Sequence, residues 1–195
     1  MYYKEHGETK KKSVALVTEE NDHSAVVTFR LNEAILNLLK ENPATSALDS
    51  IKFWSDGCTS QFRSKFAFAF MMEFPENLLI TWSFFEANHG KGPVDGVGGI
   101  VKHTVFREVC AGRVVITSPK HFAEVANALS KIHVIYIGLV DKDIDEEIRR
   151  VAKPVPRTLK VHFVARIESN LDFYETTSDE KPFFRLHFEE KVMQC

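Results

Sequence analysis

A glycine-rich stretch at residues 89–102 constrains the fold of this 195-residue chain more than any other feature. It holds five of the nine glycines, together with His89, Asp95 and two lysines. Glycine lets another backbone approach closely, but each glycine inside a helix costs about 1 kcal/mol relative to alanine. The stretch therefore needs close packing that offsets this cost, next to a negative charge.

Pro93, with Gly92 as the N-cap, gives this stretch a helix start. The pattern predicts a helix that runs to about Cys110. One face of that helix carries an acid, two glycines and a base, spaced by three, four and seven residues: Asp95, Gly98, Gly99 and Lys102. Either a tight contact between the helix and a sheet or the close approach of a substrate backbone would explain the glycines.

A second acid lies upstream, where a short apolar segment at residues 51–54 predicts a strand that stops at Asp56 and Gly57. Between Asp56 and Asp95 lie 38 residues. Paired carboxylates suit Mg²⁺, and two-ion sites of this kind catalyse phosphoryl transfer. Each aspartate alone also has a structural explanation. A negative charge in the first turn of a helix, as at Asp95, is stabilised by the helix dipole. The sequence Ser-Asp-Gly, which contains Asp56, is a common turn.

Other chemistries lack the spacing that they require. No GxxxxGK[ST] phosphate loop occurs, and residues 96–99 do not complete GxGxxG after a strand. A nucleophile pair would rest only on Cys58 and His89, and Cys58 is expected to be a small buried residue. Arg63 can contact phosphates, although an exposed helical charge is the commoner explanation.

Composition limits the class of protein. With 44% apolar residues, the chain can form one core, or one core and a small appendage. The 25 Lys and Arg nearly balance the 27 Asp and Glu, so any contact with nucleic acid needs a local patch. Three cysteines without paired spacing predict a reducing, intracellular setting, and we expect neither a signal peptide nor a membrane span.

The periodicity of apolar residues predicts an α/β chain. Strands are predicted at residues 2–4, 13–18, 51–54, 78–85, 113–116, 133–140, 159–167 and 183–188, with a charged hairpin connection at 5–12. Helices are predicted from 22 or 24 to about 39, at 60–74, 93–110 and 143–151, and from Ser118 onward with four residues inward: Phe122, Val125, Ala126 and Leu129. For 60–74 a strand is the alternative, because the phenylalanines at 66, 68 and 70 alternate, but the length and the Ser60 cap favour a helix. A stiff linker at 153–156 suggests a boundary near residue 153.

Two motifs, SDGxxxQF at residues 55–62 and HGKGxxDGxGG at residues 89–99, resemble those of a large group of invertebrate proteins. That group is similar to transposon-derived, ribonuclease H-like enzymes of the DDE type, and the similarity covers about residues 1–150. It implies a ribonuclease H-like mixed sheet flanked by helices. Residues 1–112 would be the core, 113–153 an α/β extension of it, and 154–195 a small antiparallel β unit.

In that fold three acids converge, and the resemblance assigns Asp56 and Asp95 to the second and third positions as catalytic ligands of Mg²⁺ or Mn²⁺. The first strand and its acid lie upstream of residue 1 in the group's pattern, so we expect an N-terminally truncated core. Contacts with substrate are expected from a further set of residues: His89, Lys91, Gly98, Gly99, Lys102 and Arg63.

The function that the resemblance implies is that of a remnant or fragment of a DDE-type transposase, inactive as this isolated chain. Such an enzyme cleaves and transfers DNA strands with a bound metal ion, and it works in the nucleus. The alternative is a domesticated, non-catalytic module that binds DNA or protein through the same surface. DNA is the expected partner, self-association is a further expectation, and no membrane is expected.

Overall fold

The computed structural model describes residues 2–5, 8–41, 48–85, 93–144, 146–176 and 179–188. The strands are β1 Tyr2–Glu5, β2 Glu8–Lys11, β3 Val14–Thr18, β4 Ser50–Ser55, β5 Leu79–Phe84, β6 His133–Ile137, β7 Phe163–Ile167, β8 Asn170–Tyr174 and β9 Phe184–His187. The helices are α1 Ala25–Glu41, α2 Lys65–Phe70, α3 Pro93–Cys110, α4 Pro119–Leu129 and α5 Glu146–Val151, with a 3₁₀ turn at Thr158–Lys160. The chain is thus mixed α/β, as predicted.

The largest sheet has five strands in the order β4-β5-β7-β8-β9. Strands β4 and β5 are parallel, with Ser55 opposite Phe84. Every other neighbouring pair is antiparallel, and β7 lies beside β5 with Val164 opposite Trp82. The three C-terminal strands therefore continue the sheet that β4 and β5 begin.

One face of this sheet packs against α1, α2 and α5 to form what we call the aromatic core. Alternate residues of each strand point into it, as expected for a half-buried sheet. Phe29 stacks on Phe70 with ring centroids 4.4 Å apart. Phe68 meets Phe173 edge-on at 4.9 Å, and both side chains are fully buried.

A second cluster, which we call the aliphatic core, lies between α3, α4 and the parallel pair β3–β6. Its buried residues are small or β-branched, and in the described part of the chain they are Val101, Val105, Ala123, Ala126, Ile132 and Val134. Strands β1 and β2 form a separate antiparallel hairpin. None of the described helices is long and apolar enough to cross a membrane.

Several predicted elements were wrong in extent or pairing. Residues 5–12 are not simply a connection, because Glu8–Lys11 is a strand paired with β1, and β3 pairs with β6 instead. The helix predicted at 60–74 shrinks to α2, because Ser64 provides the cap by accepting the Ala67 N–H at 3.1 Å. Residues 113–116 form no strand, and Leu129 is 50% exposed.

Candidate functional site

Residues 56–63 form a closed loop, the Asp56 loop, directly after β4. The Asp56 Oδ1 atom accepts the Cys58 N–H at 3.0 Å, an Asx turn that orders the start of the loop. The Cys58 carbonyl in turn accepts the N–H groups of Phe62 and Arg63 at 2.8 and 3.3 Å. The predicted turn after β4 is confirmed, and its carboxylate has a structural partner.

Arg63 holds this loop against the sheet through contacts of its guanidinium group. A Cβ atom at Gly57 would lie 2.6 Å from the guanidinium carbon of Arg63, so any larger residue there would require Arg63 to move. The guanidinium lies 4.9 Å from the ring centre of Phe84 and donates to the Leu159 carbonyl at 3.0 Å. Burial lowers the pKa of Arg63, and the nearby Asp56 charge opposes that shift.

Arg63 is therefore a buried residue in a loop, and its explanation as an exposed helical charge is wrong. A contact between Arg63 and phosphate stays a prediction. Close packing against a glycine occurs at Gly57, where the sequence predicted only a turn. It orders the loop that holds Asp56.

Trp82 of β5 is connected to the Asp56 loop by hydrogen bonds through Ser55. Its indole Nε1 donates to Ser55 Oγ at 2.9 Å, and Ser55 Oγ donates to the Asp56 carbonyl at 2.9 Å. The sequence analysis missed this pair. The signal was present, because a buried tryptophan needs an acceptor for its N–H and Ser55 precedes Asp56.

An aromatic pair, the exposed Trp54 and the half-buried Phe85, borders the same loop. Trp54 is 58% exposed, and its ring centroid lies 5.5 Å from that of Phe85. Lys52 lies two residues earlier on β4, so it shares a sheet face with Trp54 and is also exposed. The rim of the loop thus presents two aromatic rings and a cation.

Cys58 is exposed, which corrects the expectation that it is buried. Its Sγ atom lies 3.3 Å from Ser60 Oγ. The hydrogen bond with Ser60 and the backbone N–H groups of Gln61 and Ser60 lower the pKa of the Cys58 thiol, although burial and the Asp56 charge oppose the shift. The described structure gives no support for a Cys58–His89 pair, because His89 lies outside the described residues.

Asp95 lies in the first turn of α3, where the sequence placed it, and is exposed. The glycine face beside it is open toward the described part of the chain, where a Cβ atom at Gly98 or Gly99 would meet no atom within 4 Å. The explanation of these glycines by tight helix-to-sheet contact is therefore wrong. Lys102 is exposed on the same helix, and close approach of a substrate to this face stays a prediction.

The two predicted acids belong to different parts of the molecule. Asp56 follows a strand of the aromatic core, whereas Asp95 lies on a helix that packs in the aliphatic core through Val97, Val101 and Val105. Within the described ranges, no group of three or more His, Cys, Asp or Glu could hold a metal ion. The described acids therefore do not complete a three-acid centre, and binding of Mg²⁺ or Mn²⁺ stays a prediction.

Comparison with known proteins gives one match. The family model described as Domain of unknown function (DUF8701) matches residues 1–178. No curated protein matches the chain, and no solved structure matches it. Two of the predicted site residues, His89 and Lys91, lie within the matched range but outside the described residues.

Proposed function

We propose that this chain, which belongs to the DUF8701 family, is a ribonuclease H-like relative of DDE-type transposases that binds DNA and is catalytically incomplete alone. One observation carries the proposal: Asp56 lies at the carboxyl edge of a parallel strand pair, and Asp95 comes after the second strand of that pair along the chain. Asp56 follows β4, Asp95 lies in the helix that follows β5, and β4 and β5 end in register. Loops at the carboxyl ends of parallel strands are where such folds build their sites.

The rim of the Asp56 loop supports DNA as the partner. Aromatic side chains stack on bases, and lysines contact phosphates in proteins that bind single strands. Trp54 provides an exposed ring that lies against the half-buried ring of Phe85, and Lys52 provides a cation on the same strand as Trp54. Lys52 and Trp54 shortly precede Asp56 in the chain, and the Phe85 N–H donates to the Ser55 carbonyl, so a bound strand would pass close to the Asp56 carboxylate.

The proposed incompleteness follows from the number of acids. A DDE-type centre requires three, and the candidates in the described part of the chain are Asp56, which follows β4, and Asp95, which lies in α3. A third acid from another chain or segment would be needed before Mg²⁺ or Mn²⁺ could support cleavage. Nuclear localisation and self-association belong to the same proposal.

A second candidate is a non-catalytic module that binds DNA or protein through the same surface. The observation that favours it is the structural use of Asp56, whose carboxylate orders the loop by accepting the Cys58 N–H. Asp56 and Arg63 both stabilise this loop without any catalytic role. The loop would then shape a binding surface.

Nicking of supercoiled plasmid with Mg²⁺ or Mn²⁺ tests the catalytic part of the proposal. We expect no nicking by the purified chain or by Asp56→Asn. Nicking that Asp56→Asn abolishes would contradict the incompleteness and identify Asp56 as catalytic. Nicking that survives in both Asp56→Asn and Asp95→Asn would contradict the proposed site.

Titration with labelled single-stranded and duplex DNA at several salt concentrations tests the binding part. Phosphate contacts weaken steeply with salt, whereas an apolar protein interface does not. We expect Trp54→Ala to weaken single-strand binding about tenfold, since one stacked base contributes about 1–3 kcal/mol. Leu79→Ala is the matched control, because Leu79 is also an exposed apolar residue, at 51%. Absence of DNA binding at low salt would leave only the protein-binding alternative.

A further inference from the structure

Helix α3 carries apolar side chains on its solvent side as well as on its core side. Val101 and Val105 are buried, at 3% and 2% exposure, yet Ile100 and Phe106 are 56% and 64% exposed. Exposed apolar side chains that form a continuous patch often mark a surface that binds a partner. Part of the surface of α3 is therefore suited to a partner.

Phe106 forms one side of an open groove of about 500 Å³ between α3 and the start of α4. The lining is mainly apolar, with Val105, Val109, Ile116 and Phe122 beside Phe106. Val109 is 40% exposed along the same helix. The groove lies C-terminal to Asp95 on α3 and does not include the Asp56 loop, but it shares Gly99 and Lys102 with the expected substrate contacts.

The margin of this groove is basic. Lys102 and His103 line it. Residues 99–122, which span the lining, contain four Lys or Arg and one acid, a net charge of +3 in a chain of net charge −2. The one acid, Glu108, is held by Arg113 through Nε–Oε2 and Nη2–Oε1 contacts of 2.6 and 2.8 Å. The positive charge that remains comes from Lys102, Arg107 and Lys120.

We propose that this groove binds an amphipathic helical segment of a partner protein, with bulky apolar residues on one face and Asp or Glu beside them. An apolar groove that receives i, i+3 and i+4 side chains is a common mode of helix recognition. Charge complementarity to Lys102 and Arg107 selects an acidic partner.

The shape and charge of the groove disfavour three other occupants. It is open, whereas small-molecule sites enclose most of their ligand. Its apolar floor offers nothing to a phosphate backbone, which disfavours DNA. A second copy of the chain would bring the same cations, Lys102 and Arg107, against each other, and like charges across an interface are costly.

Fluorescence anisotropy with the full chain tests the proposal. The probe is a labelled 16-residue helical peptide with Leu and Phe on one face and Glu elsewhere, and its control has Lys in place of Glu. We expect Phe106→Ser to weaken binding about tenfold or more, as for a central apolar anchor. Lys102→Glu should weaken it about threefold to tenfold, with less effect at high salt.

Two matched variants keep this result specific. Val115→Ser removes an apolar side chain that is 76% exposed but does not line the groove, and Lys131→Glu reverses an exposed charge outside residues 99–122. Each should change the affinity less than about twofold. Circular dichroism of all four variants confirms that they are folded.

Three outcomes would overturn the proposal. The acidic peptide and its Lys control could bind equally or not at all at about 1 mM peptide, the weak end of measurable affinity. Sedimentation could show a dimer that Phe106→Ser dissociates, which would assign the groove to a second copy. Duplex DNA could displace the peptide and lose affinity in Lys102→Glu, which would assign it to nucleic acid.

Discussion

The aromatic core and the aliphatic core differ in how completely each covers its own apolar surface. The aromatic core closes around large rings such as Phe68 and Phe173, which are both fully buried. The aliphatic core buries small side chains, and Phe106 and Val115 remain 64% and 76% exposed beside it. Substitutions should therefore reduce stability most in the first core, whereas partner binding should be more sensitive in the second.

The largest expected effect is a difference in the free energy of unfolding between variants of the aromatic core and of the aliphatic core. Phe173→Ala removes a ring with 0% exposure and its edge-on contact with Phe68, and we expect it to lower the free energy of unfolding by about 3–5 kcal/mol. Val105→Ala in the aliphatic core removes two carbons and should lower it by about 2 kcal/mol. Urea denaturation followed by circular dichroism measures both, and equal losses would contradict the comparison.

A buried cation gives the next largest effect. Arg166 is 5% exposed on β7, and its guanidinium donates to four carbonyls of the turn after α2: Met71, Phe74, Pro75 and Leu78. Burial lowers the pKa of Arg166, and the Glu76 charge opposes that shift. Because lysine cannot reproduce this planar fork, Arg166→Lys should lower the free energy of unfolding by about 2–3 kcal/mol.

Arg185→Lys is the control for this effect. The Arg185 side chain is 56% exposed and contacts Asp172 through Nε–Oδ1 and Nη2–Oδ2 distances of 2.5 and 2.6 Å. Lysine keeps the charge next to the buried Asp172 but loses one of the two contacts, so we expect a loss of about 1–2 kcal/mol, below that of Arg166→Lys. If the two arginine variants were equally destabilised in urea, the burial of Arg166 would not explain its contribution.

Local signals predicted much of this fold, and long-range contacts account for what they missed. Helix α1 follows from apolar residues at intervals of three and four, and α3 follows from the Pro93 start. Strand β8 gave no clear signal because it buries Asp172, which is tolerable only next to Arg185 of β9. The pairing of β3 with β6 joins Val14 to His133, and no local pattern specifies it.

In the candidate site, too, some features follow from local sequence signals and others depend on long-range contacts. The turn at Asp56 could be predicted from Ser-Asp-Gly, because an Asx turn forms within a few residues. The burial of Arg63 could not, because its acceptor is the Leu159 carbonyl, 96 residues later. The open face of Gly98 and Gly99 was equally hidden, since sequence shows the absence of side chains but not what lies opposite them.

The two cores also differ in the packing around their glycines: Gly57 lies beside the aromatic core, and Gly98 lies in α3, which packs in the aliphatic core. At Gly57 an added Cβ would displace Arg63 from Phe84 and Leu159, so Gly57→Ala should lower the free energy of unfolding by about 1–3 kcal/mol. At Gly98, inside α3, an added Cβ meets nothing within 4 Å, so Gly98→Ala should raise it by up to about 1 kcal/mol. Thermal denaturation gives both signs, and a loss for Gly98→Ala would mean that its face is already covered.

The smallest expected effect concerns Glu20, which joins the chain connections that follow β3 and β6. Its Oε1 atom accepts the Val140 N–H at 3.0 Å, and its Oε2 atom lies 2.5 Å from Lys142 Nζ. Lys142 first, and then the Val140 N–H, lower the pKa of Glu20 from its ordinary value of 4.5. This stabilisation is therefore fully present above about pH 4.5 and is lost as the pH falls through the lowered pKa.

Glu20→Gln tests whether this contact holds the two connections together. The glutamine oxygen can still accept the Val140 N–H, but it cannot attract Lys142 or titrate. We expect a shallower loss of stability in urea than for the unmodified chain between about pH 5 and pH 3, because one fewer group takes up a proton on unfolding. Glu124→Gln on the exposed side of α4 is the control and should keep the original slope. If both variants kept that slope, the acid sensitivity of the aliphatic core would have to arise from other carboxylates, and Glu20 would join the two connections without contributing to it.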